Sequence, residues 1–181
     1  QFDKNYLKNP ATGQGGCLAE IFSPDGTLLL SEDRFGGFFN WATQPWMFKY
    51  SYIRVSGIFT ASADGEYQFG VGMVGNYKVT IGDQVHEGFI PMHSDDLGEF
   101  VLNPPFRAFG HTLKRGEEVL IQWEYPQGSL PIPIASFYIG FQEPSRSQAE
   151  EIADATALAA KSDVAVVFVG TTAEIESEGH D

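Results

Sequence analysis

Polar and apolar positions alternate with a period of two along most of the first 142 residues. Between Tyr50 and Thr60, Tyr52, Arg54 and Ser56 interleave with Ile53, Val55 and Gly57, and Glu66-Tyr67-Gln68-Phe69-Gly70-Val71 repeats the pattern. A period of two sends successive side chains to opposite faces, so each run predicts a strand with one face on a core. Further runs at residues 18–22, 27–30, 77–81, 84–86, 117–125 and 134–141 are rich in β-branched and aromatic residues. Turn chemistry separates them: Pro24-Asp25-Gly26, Asp64-Gly65, Gly75-Asn76, Gly82-Asp83 and Lys114-Arg115-Gly116. Proline presets φ and glycine supplies positive φ, so these are tight connections, and the stretch from 65 to 86 predicts two closely spaced hairpins. Many short strands with frequent turns predict a sandwich or barrel. Residues 88–105 carry two proline-containing segments and Ser94-Asp95-Asp96, which reads as a long exposed loop.

The period changes after a polar linker at 142–147. Ser147 and Glu150 have capping-box spacing, in which each side chain satisfies an orphan backbone donor. Ile152, Ala155, Leu158 and Ala159 then recur at helical spacing, and Lys161 suits the negative end of the helix dipole. Residues 164–169 are continuously apolar, as expected of a strand covered on both faces. The chain therefore reads as mainly β: a β domain over residues 1–142, followed by one helix and one strand of an incomplete α/β domain over 143–181. A lone buried-type strand expects partners, and Gln1 reads as an internal cut, so a larger parent protein is expected.

Composition narrows the partners. The 181 residues carry 11 Lys and Arg against 24 Asp and Glu, a net charge of −13. Such a surface repels phosphate, which disfavours nucleic acid and anionic membranes and leaves neutral ligands such as sugars. Cys17 is alone and no Asn-x-Ser/Thr acceptor occurs, two features that favour the cytoplasm. No apolar run reaches membrane-span length.

The chemistry-bearing segment is the acidic stretch Glu174-Ile175-Glu176-Ser177-Glu178-Gly179-His180-Asp181. It follows the predicted buried strand, where open α/β sheets place ligands. From charge alone, a solvated tail is the competing reading. The stretch from Asp163-Val-Ala-Val-Val-Phe-Val-Gly170 to Glu176-Ser-Glu178-Gly-His-Asp181 resembles the second domain of glycoside hydrolase family 3, the β-glucosidases. The β portion resembles the anthrax protective-antigen-type sandwich inserted in some of those enzymes, through Gly65-Glu-Tyr-Gln-Phe69, Tyr77-Lys-Val-Thr-Ile-Gly-Asp83 and Leu113-Lys-Arg-Gly116.

The resemblance implies retaining hydrolysis of terminal β-D-glucosyl residues by two carboxyl groups. It places the general acid/base at Glu178, with Glu176 as the alternative. Crowding by Glu176 and Asp181 would hold its proton. The nucleophile would lie in a barrel domain outside these residues. Implied partners are β-glucosides or short β-glucans and the remainder of the same enzyme. The sandwich would narrow the pocket mouth, with Phe89 or Phe100 lining an acceptor subsite. Two other readings compete: a carbohydrate-binding module independent of catalysis, and a structural insert contributing to homo-oligomer contacts.

Lectin-like members of the sandwich family bind calcium through adjacent aspartates. Asp95 and Asp96 offer too few oxygens, and the equivalent stretch Met73-Val74-Gly75 has none, so no metal is expected. His86, His93, His111 and His180 lack metal-ligand spacing, and His86 reads as strand surface. No cofactor is expected. Cys17 reads as a core filler. Phe22, Tyr67, Phe69, Trp123, Phe137 and Phe141 read as core, whereas Trp41, Trp46, Phe89, Phe100, Phe106 and Phe109 fall in or beside predicted loops.

Overall fold

A computed structural model describes residues 5–92, 104–127, 134–144, 148–168 and 170. The chain divides after Pro144 into two units, 1–144 and 145–181, and each is described by itself. The first unit is a two-sheet sandwich. One sheet holds β2 (Cys17–Phe22), β3 (Leu28–Arg34), β5 (Tyr52–Thr60), β7 (Gly75–Ile81), β8 (Gln84–Ile90) and β10 (Glu118–Pro126), in the order β3-β2-β5-β10-β7-β8. The short β1 (Leu7–Lys8) also pairs with β5. The second sheet orders β4 (Phe38–Ala42), β11 (Ile134–Gln142), β6 (Gly65–Gly72) and β9 (Phe106–Leu113) as β4-β11-β6-β9. Every described pairing is antiparallel.

The alternation in the sequence becomes the two faces of each sheet. Ile53 and Val55 of β5, Tyr67 and Phe69 of β6, and Trp123 and Tyr125 of β10 point into one shared core. Phe59, from the larger sheet, is 1% exposed and sits against three rings of the smaller one. Its centroid is 5.2 Å from Tyr67, 5.0 Å from Phe69 and 5.0 Å from Phe141. Tyr125 stacks on Phe137 across the same gap at 5.0 Å, and Phe137 stacks on Phe39 at 4.9 Å. Such ring pairs stabilise beyond the area they bury.

The turns explain where the predicted hairpins hold. Gly82, at φ +60, closes the two-residue loop between β7 and β8, with Ile81 opposite Gln84. Gly26, at φ +83, closes the β2–β3 turn, whose Ser23 N–H donates to Thr27 O. The predicted β6–β7 hairpin does not form. Residues 73–74 instead carry the chain from the smaller sheet to the larger, because Tyr67 and Phe69 on one side and Val79 and Ile81 on the other face the core from opposite layers. The crossing from β5 to β6 is fixed by the Tyr67 hydroxyl, which donates to Ala63 O at 3.0 Å and accepts from the Ala63 N–H at 2.9 Å.

Four expectations need correction. Trp41, Phe89, Phe106 and Phe109 lie on strands β4, β8 and β9. The predicted loop at 88–105 begins only after Ile90, and its residues 93–103 lie outside the described residues. In the second unit, α1 (Gln148–Ala159) forms where the helical period predicts it, with Glu150 and Glu151 in its first turn. Ser147 of the capping box is outside the described residues. Lys161 falls beyond the last helical residue. The predicted strand is absent at Val164–Phe168, which joins no sheet. Its backbone has no neighbouring strand among the described residues, and Phe168 is 93% exposed. A strand forms only where an adjacent chain satisfies its N–H and C=O groups.

Two outcomes test this packing. Phe59→Ala removes the ring that three others enclose and is expected to cost about 3–5 kcal/mol in urea unfolding. A loss below about 1 kcal/mol would show that the sheets do not depend on it. Cys17 is buried at the start of β2, and burial pushes its thiol up to about 12 against the opposing pull of Arg34. A thiol reagent at mildly alkaline pH should label it only at the rate of unfolding, and rapid labelling of the folded chain would contradict this placement.

Candidate functional site

The predicted acid/base Glu178, its alternative Glu176, and Phe100, His93, Asp95, Asp96 and His180 all lie outside the described residues. Among the described residues no group of three or more His, Cys, Asp or Glu side chains is placed to hold a metal ion.

Phe89 is the one predicted substrate-facing residue that the structure describes. It sits on β8, an edge strand, opposite Asn76 of β7, and is 59% exposed. Ile90 is buried, so alternation turns Phe89 to the outer face of the larger sheet. The ring borders an open hollow of about 500 Å³ with Asn76, Tyr77, Glu87 and Gly88. Gly88 is required there, since a Cβ would come within 2.5 Å of the Tyr77 hydroxyl.

Beside this hollow runs a row of alternating charge. Glu20, Arg54, Glu124, Lys78 and Glu87 are register partners across β2, β5, β10, β7 and β8. Arg54 donates through Nε and Nη2 to Glu124 Oε1, both at 3.2 Å. Lys78 Nζ lies 3.7 Å from Glu124 Oε2 and 3.9 Å from Glu87 Oε1. Opposite charges facing each other across strands stabilise the register. Arg54 also lies over the Phe22 and Tyr52 rings, at 5.1 and 5.4 Å. Phe22, predicted as core, is therefore on the outer face, where the guanidinium covers it.

His86 is not strand surface. It stacks on Phe109 at 4.5 Å where β8 and β9 border the core, and its buried Nε2 has no hydrogen-bond partner among the described residues. Nearby, His111 Nδ1 pairs with Gln84 Oε1 at 3.2 Å. The opposite border is closed by Glu32 Oε1, which accepts from Trp41 Nε1 at 3.0 Å and Arg34 Nη1 at 3.1 Å. Both borders are structural closures.

A second hollow, of about 390 Å³, lies on the outer face of the smaller sheet. Gln68, Phe106, Ala108, Tyr138, Gly140 and Gln142 are among its walls. Sequence reading missed it. The signal was the run Phe69-Gly70-Val71-Gly72, in which the outward positions of a strand are left empty while the inward ones are filled.

No family model matches the chain. A β-glucosidase of Kluyveromyces marxianus is 28% identical over 138 residues, which cover 73% of this chain and 16% of that protein. A probable β-glucosidase I of Emericella nidulans is 30% identical over 145 residues, covering 72% of this chain and 16% of its length. The chain thus spans 16% of the length of the curated relatives it matches. The crystal structure of the Kluyveromyces marxianus β-glucosidase in complex with glucose matches with a TM-score of 0.73 over 99% of this chain and 22% of that one. At 23% identity that likeness speaks to the fold. An α-xylosidase structure from Xanthomonas citri matches at a TM-score of 0.51 and 14% identity, again a likeness of fold. In sequence and in fold, this chain is similar to one segment of β-glucosidases.

Proposed function

We propose that the chain forms part of a family 3 β-glucosidase, with residues 1–142 as a protective-antigen-type sandwich and 143–181 as the start of an α/β domain. The observation that carries this reading is the likeness over nearly the whole chain to a β-glucosidase structure, joined to sequence similarity with β-glucosidases of two organisms. The reaction would be retaining hydrolysis of terminal β-D-glucosyl residues from β-glucosides or short β-glucans.

In this reading Glu178 protonates the departing glycosidic oxygen while a carboxylate from the rest of the enzyme attacks the anomeric carbon. The two carboxyl groups must then stand about 5–5.5 Å apart. Glu178 next activates the water that releases the sugar. An acid in this role has to keep its proton near neutral pH, and the adjacent carboxylates Glu176 and Asp181 favour that. The sandwich shapes the pocket entrance, and Phe89 supplies an exposed ring on which the CH face of a more distant sugar can stack. Phe100 is the companion candidate.

The parent enzyme tests the roles separately. Glu178→Ala should lower kcat about 10²–10⁴-fold on an alkyl glucoside, whose poor leaving group needs protonation, and far less on a nitrophenyl glucoside. Azide should restore turnover by attacking the glycosyl-enzyme. An undiminished rate on the alkyl substrate would remove Glu178 from the role, and the same pattern in Glu176→Ala would transfer it.

Phe89→Ala should change the ratio of kcat/KM between cellotriose and nitrophenyl glucoside by about tenfold, with kcat on the latter unchanged. A constant ratio would separate this face from substrate selection.

A further inference from the structure

The outer face of the smaller sheet holds three successive rows of very different character. In the first, Tyr138, Gly72 and Phe106 are register partners across β11, β6 and β9. In the next, Gly140, Gly70 and Ala108 face one another, and in the third Gln142, Gln68 and Gly110 do. An aromatic row and an amide row thus flank a row with almost no side chains. Four residues of strand separate the outer rows, about 14 Å along the sheet.

The aromatic row is a built surface. The Phe106 and Tyr138 rings are 5° from parallel with centroids 5.4 Å apart. They occupy the space that side chains at Gly70 and Gly72 would need: a Cβ there would come within 2.4 Å of Phe106 and 2.1 Å of Tyr138. The Tyr138 hydroxyl donates to Pro104 O at 3.2 Å, which anchors its ring. Phe106 is nonetheless 47% exposed. At the other end, the Gln68 and Gln142 amides have no hydrogen-bond partner among the described residues, although they are direct neighbours. Each amide offers two donors and an acceptor. Glu66 lies across Gly110, its Oε1 where a Cβ would be, and adds a carboxylate acceptor at the rim.

We infer that this trough is a second sugar site, which binds one neutral pyranose unit and takes no part in catalysis. An apolar ligand would leave the two amides desolvated and unpaired, at a cost that outweighs its contact with the rings. An anion would meet Glu66 and a chain of net charge −13. A pyranose meets both ends. Its axial C–H face lies on an aromatic plane, and its equatorial hydroxyls reach the amides. The hollow of about 390 Å³ suits a small ligand. The trough is on the outer face of the smaller sheet, whereas Phe89 is on the outer face of the larger one. The inference therefore stands whether or not Glu178 is the acid/base.

The test is an NMR titration of the isotope-labelled 181-residue chain with glucose, cellobiose and sorbitol. Sorbitol carries hydroxyls without a ring face. Saturable millimolar shifts are expected with glucose or cellobiose, confined to the side-chain amides of Gln68 and Gln142 and the backbone of Gly70 and Gly140. Ala108→Leu fills the empty row from solvent without entering the core, and Gln142→Ala removes one amide. Each should weaken binding about tenfold or more with the amide spectrum otherwise preserved. Val85→Ala, at an exposed position of β8 in the other sheet, should leave it unchanged. The inference fails on any of four results: no saturable shift with either sugar, equal shifts with sorbitol, undiminished binding by a folded Ala108→Leu chain, or concentration-dependent shifts of the trough without sugar. The last would identify a second copy of the chain as its occupant.

Discussion

The sandwich depends on one constraint, the interdigitation of aromatic rings from two sheets that share one core. Phe59 enters from the larger sheet among Tyr67, Phe69 and Phe141 of the smaller, and Tyr125 meets Phe137 in the same gap. Rings of this size fix both the spacing and the relative register of the layers, since a shift of one residue in any strand would turn its rings to solvent. The chain crosses repeatedly between the layers, so each crossing must be pinned. Tyr67 does this for β5 to β6 by bonding both backbone groups of Ala63.

With the inner faces committed to packing, ligand recognition is left to the outer faces and the ends of the sheets. The two outer faces differ in kind. The larger sheet carries the ladder from Glu20 to Glu87, whose charges largely satisfy one another. Partnered charges hold register and leave little for a ligand, so the features open to contact on that face include the exposed side chains of Phe89, Val85 and Leu120. The smaller sheet has no such ladder. Its rows run from aromatic to glycine-rich to amide, with the Phe106 and Tyr138 rings lying over Gly70 and Gly72.

Much of this was legible in the sequence, for reasons that differ by element. Strands β2, β5, β6, β7, β10 and β11 announced themselves because core-facing apolar residues recur at every second position on each. β4 and β9 did not, since Phe38 and Phe106 put large apolar residues on the outer face and blur the alternation. The crossing at Met73-Val74 resembled a hairpin because turn chemistry reports a change of direction and carries no information about which sheet follows. His86 was misplaced for a related reason: a polar residue on a strand reads as solvent-facing unless a ring such as Phe109 waits opposite. The apolar run Val164–Phe168 has the composition of a buried strand, yet composition records what a segment needs, and pairing depends on neighbours that these residues lack here.

The same distinction governs the functional reading. Under the proposed function, an acidic segment acquires catalytic meaning only from a second carboxylate held at a fixed distance, and Glu178 would take that partner from the rest of the enzyme. The sandwich is different, because the strands that form its outer faces lie within the described residues. Gly70, Gly72 and Gly110 illustrate this: each leaves a space that Phe106, Tyr138 or Glu66 fills, so the shape of the smaller sheet's outer face is decided locally by glycine positions and their cross-strand neighbours. A surface built that way keeps its geometry whatever covers the rest of the protein.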